Sequence, residues 1–376
     1  MSVFENDAFL HHDSVHFYND EATGLQAIIA IHSTVLGPAL GGCRVVNYAN
    51  SSEALEDVLR LSRGMSFKNS LAGLELGGGK SVIIPPKSWA GDPRHAGEER
   101  ANLFRAFGRA VHSLGGRYIA AEDMNVSVED AENMAQETDY VVGLDVSHGG
   151  MGDPSPLTAQ GVFLGLRACV RRAFNTGELD GLTVSVQGLG KVGWDVCEQL
   201  HAAGAKLIVA DIVPQTTARA AKLFGAKIVD TDAIVGVKAD VFSPCARGAV
   251  INDDTIDGLN VKVVAGSANN QLSHDELGTV LMQRGIIYAP DYVINAGGVI
   301  NIAPEAKGQV NHEWVREKIK KLEDTVGEIV DLAISSKRST NEVADEIATR
   351  RILDARDAGK AWQPGFVKQP KLRESA

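Results

Sequence analysis

The chain has 376 residues, more than a single hydrophobic core usually supports, so two domains are expected. A hydrophobic fraction of 44% beside 23% charged residues is that of an ordinary globular protein. The net charge of -11 argues against a nucleic-acid partner, which needs clustered Lys and Arg, and no apolar stretch approaches the length of a membrane span.

Short β-rich runs alternate with helical periodicity along the chain, the pattern of α/β layers. Residues 25–32 read as a strand and 52–62 as a helix with Ser51 or Ser52 as its N-cap. A Gly-rich turn, Gly-Gly-Gly-Lys80-Ser, leads to a buried strand at 81–84 that Pro85 and Pro86 stop. A helix at 98–114, a strand at 118–121 and a capped helix at 128–137 complete a first α/β domain over residues 1–147. The stretch 147–156 is dense in turn formers and has no period, so the crossing between domains belongs there.

Beyond a helix at 158–174 comes the clearest local signature. A strand at 182–187 runs into Gly188-Leu189-Gly190-Lys191-Val192-Gly193, a helix at 194–203 and a second strand at 206–211 that ends in Asp211. Gly188 lets the chain turn, Gly190 lets backbone approach a pyrophosphate, and Gly193 lets helix and strand pack closely. Asp211 stands where the ribose hydroxyls need an acceptor, and no Arg follows it to receive a 2′-phosphate, which favours NAD over NADP. Helices at 214–224 and 274–284 and strands at 239–243 and 261–265 complete a doubly wound, Rossmann-type domain over 148–335. Residues 311–335 and 340–357 read as charged amphipathic helices, and the segment 336–376 as a C-terminal helix and tail that packs back on the first domain. From Gly359 onward, with Trp362, Pro364 and Pro370, the tail reads as loose.

Lys68 and Lys80 flank the glycine-rich turn, and two lysines beside flexible backbone suit one small acid: one pairs with its carboxylate, the other handles protons at its alpha carbon. Mutual repulsion in a closed pocket would make one of them usable as a base, with a nearby carboxylate as counter-charge. A Walker A reading of Gly-Gly-Gly-Lys80-Ser fails, because position 74 is Leu where the motif needs Gly, and a strand follows where it needs a helix. The cysteines, Cys43, Cys169, Cys197 and Cys245, include no C-x-x-C pair, which argues against a zinc cage or disulfide framework and suits reduced thiols in the cytoplasm. No signal-peptide pattern opens the chain. His11, His12, His112, His148 and His274 lack ligand spacing and read as surface or capping residues, so no metal is expected.

These motifs together resemble one family, the Glu/Leu/Phe/Val amino acid dehydrogenases. The resemblance runs through Leu36-Gly-Pro-Ala-Leu-Gly-Gly-Cys-Arg44, the two lysines, Ala121-Glu-Asp123, Gly188 to Gly193, Ser243-Pro-Cys-Ala246, Ala265-Gly-Ser-Ala-Asn-Asn-Gln271 and Pro290-Asp-Tyr-Val-Ile-Asn-Ala-Gly-Gly-Val-Ile-Asn301, and is strongest toward the leucine, phenylalanine and tryptophan branch. It implies a substrate and oligomerisation domain followed by a Rossmann NAD domain with a cleft between them. The implied reaction is NAD-dependent oxidative deamination of an L-amino acid to a 2-oxo acid and ammonia, by a cytoplasmic homo-oligomer, dimer to octamer. By the same resemblance Lys68, with backbone at Gly41 and Gly42, would hold the substrate carboxylate. Lys80 would polarise the 2-oxo oxygen and activate water, Asp123 would relay protons, and Asn270 would fix the substrate. Thr158, Asn269, Cys245 and Ala246 would join Gly188, Leu189, Gly190, Lys191, Val192, Gly193 and Asp211 at the cofactor.

Leu40 occupies the position where glutamate-specific relatives carry a lysine, and a buried substrate carboxylate without such a partner is costly, so an apolar side chain is expected. Ala121, Val299 and Ile302 match other pocket positions of the branched-chain enzymes and suggest leucine, valine or isoleucine. Cys43 and the Glu-Asp-Met-Asn-Val run after Ala121 depart from the leucine-enzyme pattern, and Met124 and Asn125 lean toward aromatic-acid relatives, which keeps phenylalanine or tryptophan as the alternative. A non-catalytic NAD-binding regulator would keep the glycine turn but would not need both lysines and Asp123.

Overall fold

A computed structural model of the chain describes residues 3–359; the tail expected to be loose, with Trp362, Pro364 and Pro370, lies outside the described residues. The chain divides into two compact units. The first holds the residues up to Gly152, Ile302–Asn311 and the described chain from Ala348. The second holds Asp153–Asn301 and His312–Ile347. Residues 302–311 therefore group with the first unit, and the last helix changes unit within its length.

The first unit is built on strands β1 (Ser14–Asp20), β2 (Leu25–Ser33), β3 (Ala39–Val45), β4 (Gly77–Ile84) and β5 (Tyr118–Glu122), in the order β1-β2-β4-β3-β5. Strands β1, β2 and β4 pair antiparallel, while β4, β3 and β5 pair parallel. Helix α1 (Ser51–Leu71) covers one face, where its Ala54, Val58 and Leu59 pack on Ile28, Ala30 and Val82. The other face meets α2 (Glu98–Ser113) and α3 (Val128–Ala135) through Ile29, Ile31, Cys43, Val45, Phe104, Phe107 and Tyr118. Successive strand residues alternate between faces, and Leu40 pairs with Gly78 and Arg44 with Val82, so Leu40, Arg44 and Lys80 share the α1 face.

Two local expectations change. The N-cap of α1 is Asn50, whose side chain accepts from the backbone of Ser52 and Glu53, rather than Ser51 or Ser52; one residue earlier an Asn carbonyl reaches both orphan donors. The glycine run is not a turn, since Gly77, Gly78 and Gly79 lie in β4 and the chain reverses earlier, at Gly73 (φ 65°). A Cβ on Gly77 would lie 2.0 Å from Ser33 O, on Gly78 2.0 Å from Ser66 N, and on Gly79 2.7 Å from the Tyr118 ring. These glycines serve close approach of β2, α1 and Tyr118 rather than flexibility.

The second unit carries a six-stranded, wholly parallel sheet in the order β11-β10-β9-β6-β7-β8. After α4 (Ser155–Phe174), the chain runs β6 (Thr183–Gln187), α5 (Lys191–Ala202), β7 (Lys206–Ala210), α6 (Pro214–Phe224) and β8 (Lys227–Ile228). It then returns to the other side of β6 through β9 (Val241–Pro244), β10 (Val263–Val264), α7 (Leu277–Gln283) and β11 (Ile287–Tyr288). The strand order reverses between β6 and β9, the switch point at which open α/β sheets bind ligands. Among the described residues four helices follow: α8 (Asp291–Ile294), α9 (Gly297–Ala306), α10 (His312–Ser336) and α11 (Thr340–Asp357). The later part of α11 meets α1, where Ser70 Oγ donates to Ala348 O and Arg351 to Ser70 O. No helix among the described residues is long and apolar enough to cross a membrane.

The loop after β5, which carries Asp123, is fixed by one arginine. Arg100 makes a bidentate pair with Asp130 at 2.7 Å through each nitrogen, and donates to Asn125 O, Pro93 O and His95 O. Asp130 also closes a capping box with Ser127 at the start of α3. Only 3% of the Asp130 side chain is exposed, so removing its partner strands a buried charge. Arg100→Leu should therefore lower the unfolding free energy by about 3–5 kcal/mol, read from urea denaturation, and a loss under about 1 kcal/mol would contradict this account.

Candidate active site

Lys80 stands in the middle of β4, paired with Ala30 of β2, and only 7% of its side chain is exposed. A buried ammonium needs a counter-charge, and Asp123, directly after β5, supplies it at 2.8 Å from Nζ to Oδ2. Arg44 of β3 donates from Nε to the same oxygen at 2.7 Å. Its Nη1 reaches Asp57 Oδ2 of α1 at 3.2 Å, and the Tyr48 hydroxyl donates to that oxygen at 2.6 Å. Burial alone would push the Asp123 carboxyl up, but Lys80 and Arg44 together overcome it and hold the carboxyl down at about 2. Burial also opposes the Arg44 charge, and Asp123 and Asp57 outweigh it, raising the guanidinium further.

The first unit also holds further sequence candidates. Lys68 sits half-buried in the last turn of α1. Gly41 and Gly42 lie in β3 opposite Ala120 and Ala121. A Cβ on Gly42 would stand 2.6 Å from Glu122 O and 2.7 Å from the Asp123 Cβ, so glycine there lets β3 backbone lie against the carboxylate residue. The Gly41 carbonyl accepts the Tyr118 hydroxyl at 2.7 Å, and that hydroxyl also lies 2.9 Å from Ser81 Oγ. Leu40 is fully buried, Ala121 nearly so, and Ile302 half-buried.

In the second unit the glycine turn stands at the switch point. Gly188 has φ 90°, a left-handed conformation that favours glycine, and a Cβ on it would meet Ala246 at 2.7 Å. A Cβ on Gly193 would lie 2.0 Å from Gly188 O, whereas Gly190 faces open space. Gly190 caps α5 with no side-chain hydrogen bond, so the first turn of that helix presents backbone N–H groups beside an unfilled space, a fit for a pyrophosphate. Leu189 is buried, and its N–H donates to Asp211 Oδ2 at 2.6 Å while Val213 N–H donates to Oδ1. Lys191 opens α5, followed by Val192, and pairs with Asp153 at 2.8 Å. Cys245 follows β9, with its N–H donating to Gln187 O. Thr158 lies on α4, its hydroxyl donating to Pro154 O. Asn269 accepts from Asn295, Asn270 is exposed with φ 51°, and Val299 is buried on α9.

Sequence reasoning singled out neither Arg44, Asp57 nor Tyr48 for a role, although Arg44 closes the glycine motif of β3. The available signal was an arginine inside a buried strand, which requires a carboxylate partner. His12 was expected at the surface and is instead buried, with Nε2 at 2.8 Å from Ser62 Oγ, because Phe9 stacks on it. Among the described residues no group of His, Cys, Asp and Glu could hold a metal ion.

A buried lysine paired with a carboxylate on one α/β sheet, with a glycine turn at the switch point of a second, parallel sheet, fits the class of α/β dehydrogenases. Residues 7–140 match the family described as Glu/Leu/Phe/Val dehydrogenase, dimerisation domain, and residues 210–359 match Glutamate/Leucine/Phenylalanine/Valine dehydrogenase. The chain is 49% identical to a leucine dehydrogenase of Geobacillus stearothermophilus, over 95% of each chain. It is 46% identical to a phenylalanine dehydrogenase of Caldalkalibacillus thermarum, over 94% of each. The crystal structure of L-tryptophan dehydrogenase from Nostoc punctiforme superposes with a TM-score of 0.81 at 40% identity, covering 92% of this chain and 97% of that one. The chain belongs to the Glu/Leu/Phe/Val dehydrogenase family and is an amino acid dehydrogenase.

Because the folded Asp123 carboxyl titrates at about 2, below the roughly 3.9 of an unfolded chain, its ionised form stabilises the fold fully above about pH 4. That stabilisation is lost as pH falls through 2. Urea midpoints of the wild type and Asp123→Asn should differ by a constant amount from about pH 5 to 7 and converge below about 4; a pH-independent gap would overturn the ion-pair account.

Proposed function

We propose that the protein catalyses the reversible, NAD-dependent oxidative deamination of an apolar L-amino acid, with leucine, valine and isoleucine favoured, giving the 2-oxo acid and ammonia. The observation that carries this reading is the pairing of the buried Lys80 with the partly buried Asp123. An ammonium held 2.8 Å from an ionised carboxylate can give up and regain a proton without either group leaving its place. Identities of 49% and 46% to leucine and phenylalanine dehydrogenases support the reaction and keep an aromatic substrate as the second reading. A cytoplasmic homo-oligomer acting on a small amino acid and its 2-oxo acid, with neither nucleic acid nor membrane as partner, completes the proposal.

The nicotinamide, when bound, supplies the hydride acceptor for the substrate's alpha carbon. Gly188, Leu189, Gly190, Lys191, Val192, Gly193, Cys245 and Ala246 would hold the dinucleotide, with Asp211 at the adenosine ribose and Thr158 and Asn269 toward the nicotinamide. Lys68 pairs with the substrate carboxylate, aided by backbone of Gly41 and Gly42, and Asn270 fixes the alpha carbon. Lys80 takes a proton from water as it attacks the imine carbon, then stabilises the oxygen that becomes the 2-oxo group. Asp123 Oδ1 takes a proton from the substrate ammonium before the alpha-carbon hydride leaves and returns it to the departing nitrogen, so ammonia leaves, the carbonyl forms and Asp123 ends ionised as it began. Leu40, Ala121, Val299 and Ile302 give the side-chain pocket apolar walls, and a methylene more or less in such a pocket changes preference by only about 1–3 kcal/mol.

A spectrophotometric screen of L-amino acids, following the reduced cofactor, tests the whole reading. Apolar substrates with NAD should give the highest kcat/KM, and L-glutamate should fall at least about 100-fold lower because its carboxylate meets no cation. Glutamate rivalling leucine, or NADP rivalling NAD, would refute the pocket or the Asp211 assignment respectively. Lys80→Ala should reduce kcat by about 100-fold or more with the NAD dissociation constant nearly unchanged, and retained turnover would reject its role.

A further inference from the structure

The proton-handling carboxylate has two oxygens that the protein treats differently. Lys80 and Arg44 both bond Asp123 Oδ2, at 2.8 and 2.7 Å, and no hydrogen bond to Oδ1 occurs among the described residues. Arg44 is itself held between two carboxylates, since Asp57 on α1 takes its Nη1 at 3.2 Å and is in turn fixed by the Tyr48 hydroxyl. A guanidinium does not deprotonate at any working pH, so this partner persists when Lys80 gives up its proton.

Resting on the deamination reading above, we propose that Arg44 is a positioning residue. It anchors Asp123 by Oδ2 throughout the protonation cycle of Lys80 and leaves Oδ1 as the oxygen that exchanges protons, while Asp57 sets how much of the Arg44 charge Asp123 receives. Without Arg44, an Asp123 that lost the Lys80 ammonium would have no counter-charge in its buried setting and would swing toward water or take up a proton. With Arg44 in place the carboxylate returns to its ionised form after each proton transfer and stays aimed.

The other ionisable groups near Asp123 do not share this task. Cys43 of β3 is pushed up to about 12 by burial, and Tyr118 of β5 is raised well above the ordinary phenol for the same reason, so both stay neutral at working pH. Asp130 of α3 is committed to Arg100. The neighbouring cation on α1, Lys68, is assigned to the substrate, which leaves Arg44 and Asp57 as the pair of opposite charges that tunes the site from behind.

That arrangement predicts shifts of opposite sign. In Arg44→Gln the Asp123 carboxylate loses one of its two cations, so the acidic limb of the kcat/KM profile should move at least about one pH unit alkaline and kcat should fall about tenfold or more. In Asp57→Asn the Arg44 charge turns wholly to Asp123 and the limb should move acidic. Arg44→Lys, which keeps the charge, should restore the limb toward the wild type. Unchanged limbs, or limbs that move the same way in Arg44→Gln and Asp57→Asn, overturn the proposal, because a merely structural loosening has no sign. Should Arg44→Gln not fold, the direction seen in Asp57→Asn decides. If the wild type oxidises no L-amino acid, the failure belongs to the reaction assigned above; carbon-13 NMR of the Asp123 carboxyl then reads the positioning directly. The carboxyl should rise from about 2 in Arg44→Gln, and an unmoved titration would refute the role of Arg44.

Discussion

Two cations and a carboxylate withdrawn from water onto one face of a sheet are the constraint on which the first unit depends. Each ion costs several kcal/mol to desolvate, and the cost is offset only while all partners hold their geometry. Three different strands and a helix meet this demand together: Lys80 from β4, Arg44 from β3, Asp123 from the end of β5 and Asp57 from α1. The loop that carries Asp123 is pinned in turn by Arg100 and Asp130 and by Asn125, which donates to Val45 O. A cluster assembled from so many elements can form only when the sheet register is right, so the fold and the chemistry are specified by the same pairings.

The glycines make that cluster geometrically accessible. Gly42 admits Asp123 beside β3 backbone, and Gly78 admits the α1 backbone at Ser66, two residues before Lys68. Helix α1 can thus lie close enough to the sheet for its Asp57 to reach Arg44 while its last turn carries Lys68. A larger residue at Gly78 would lift the helix from the strand that bears Lys80. The glycine run beside the lysine therefore signals tight packing of a charged site, and its resemblance to a phosphate loop is superficial.

What was legible in the sequence follows from the range of the interactions involved. The turn from Gly188 to Gly193 is local, with strand, turn and helix contiguous, and both its element types and the Asp211 carboxylate could be read directly. Strand β3 escaped because Ala-Leu-Gly-Gly-Cys-Arg-Val has no alternation; it is buried on both faces and defined only by neighbours more than thirty residues away. Edge strand β1 escaped for the opposite reason, as half-exposed polar residues hide its period. Lys80 and Asp123 could be named from motif resemblance, but Asp57 and Tyr48 look like ordinary helix and loop residues until the fold brings them to Arg44. The switch of residues 302–311 to the first unit was likewise invisible, because α9 reads as one continuous apolar helix.

The charge count of the network bears on the kind of substrate it can hold. Lys80, Arg44, Asp123 and Asp57 sum to zero when all are ionised, which suits a buried lysine and three partly buried charges. Loss of the Lys80 proton leaves one net negative charge centred on Asp123, and Arg44 spreads that charge without neutralising it. On the proposed reading, in which Lys68 takes the substrate carboxylate, a negative centre at Asp123 would complement the ammonium of a zwitterion. A substrate with a further charged side chain would upset this balance in a site whose adjacent residues, Leu40 and Ala121, are buried and apolar. On the proposed reading, the electrostatics of the network would select the amino acid backbone and leave the walls around it to select the side chain.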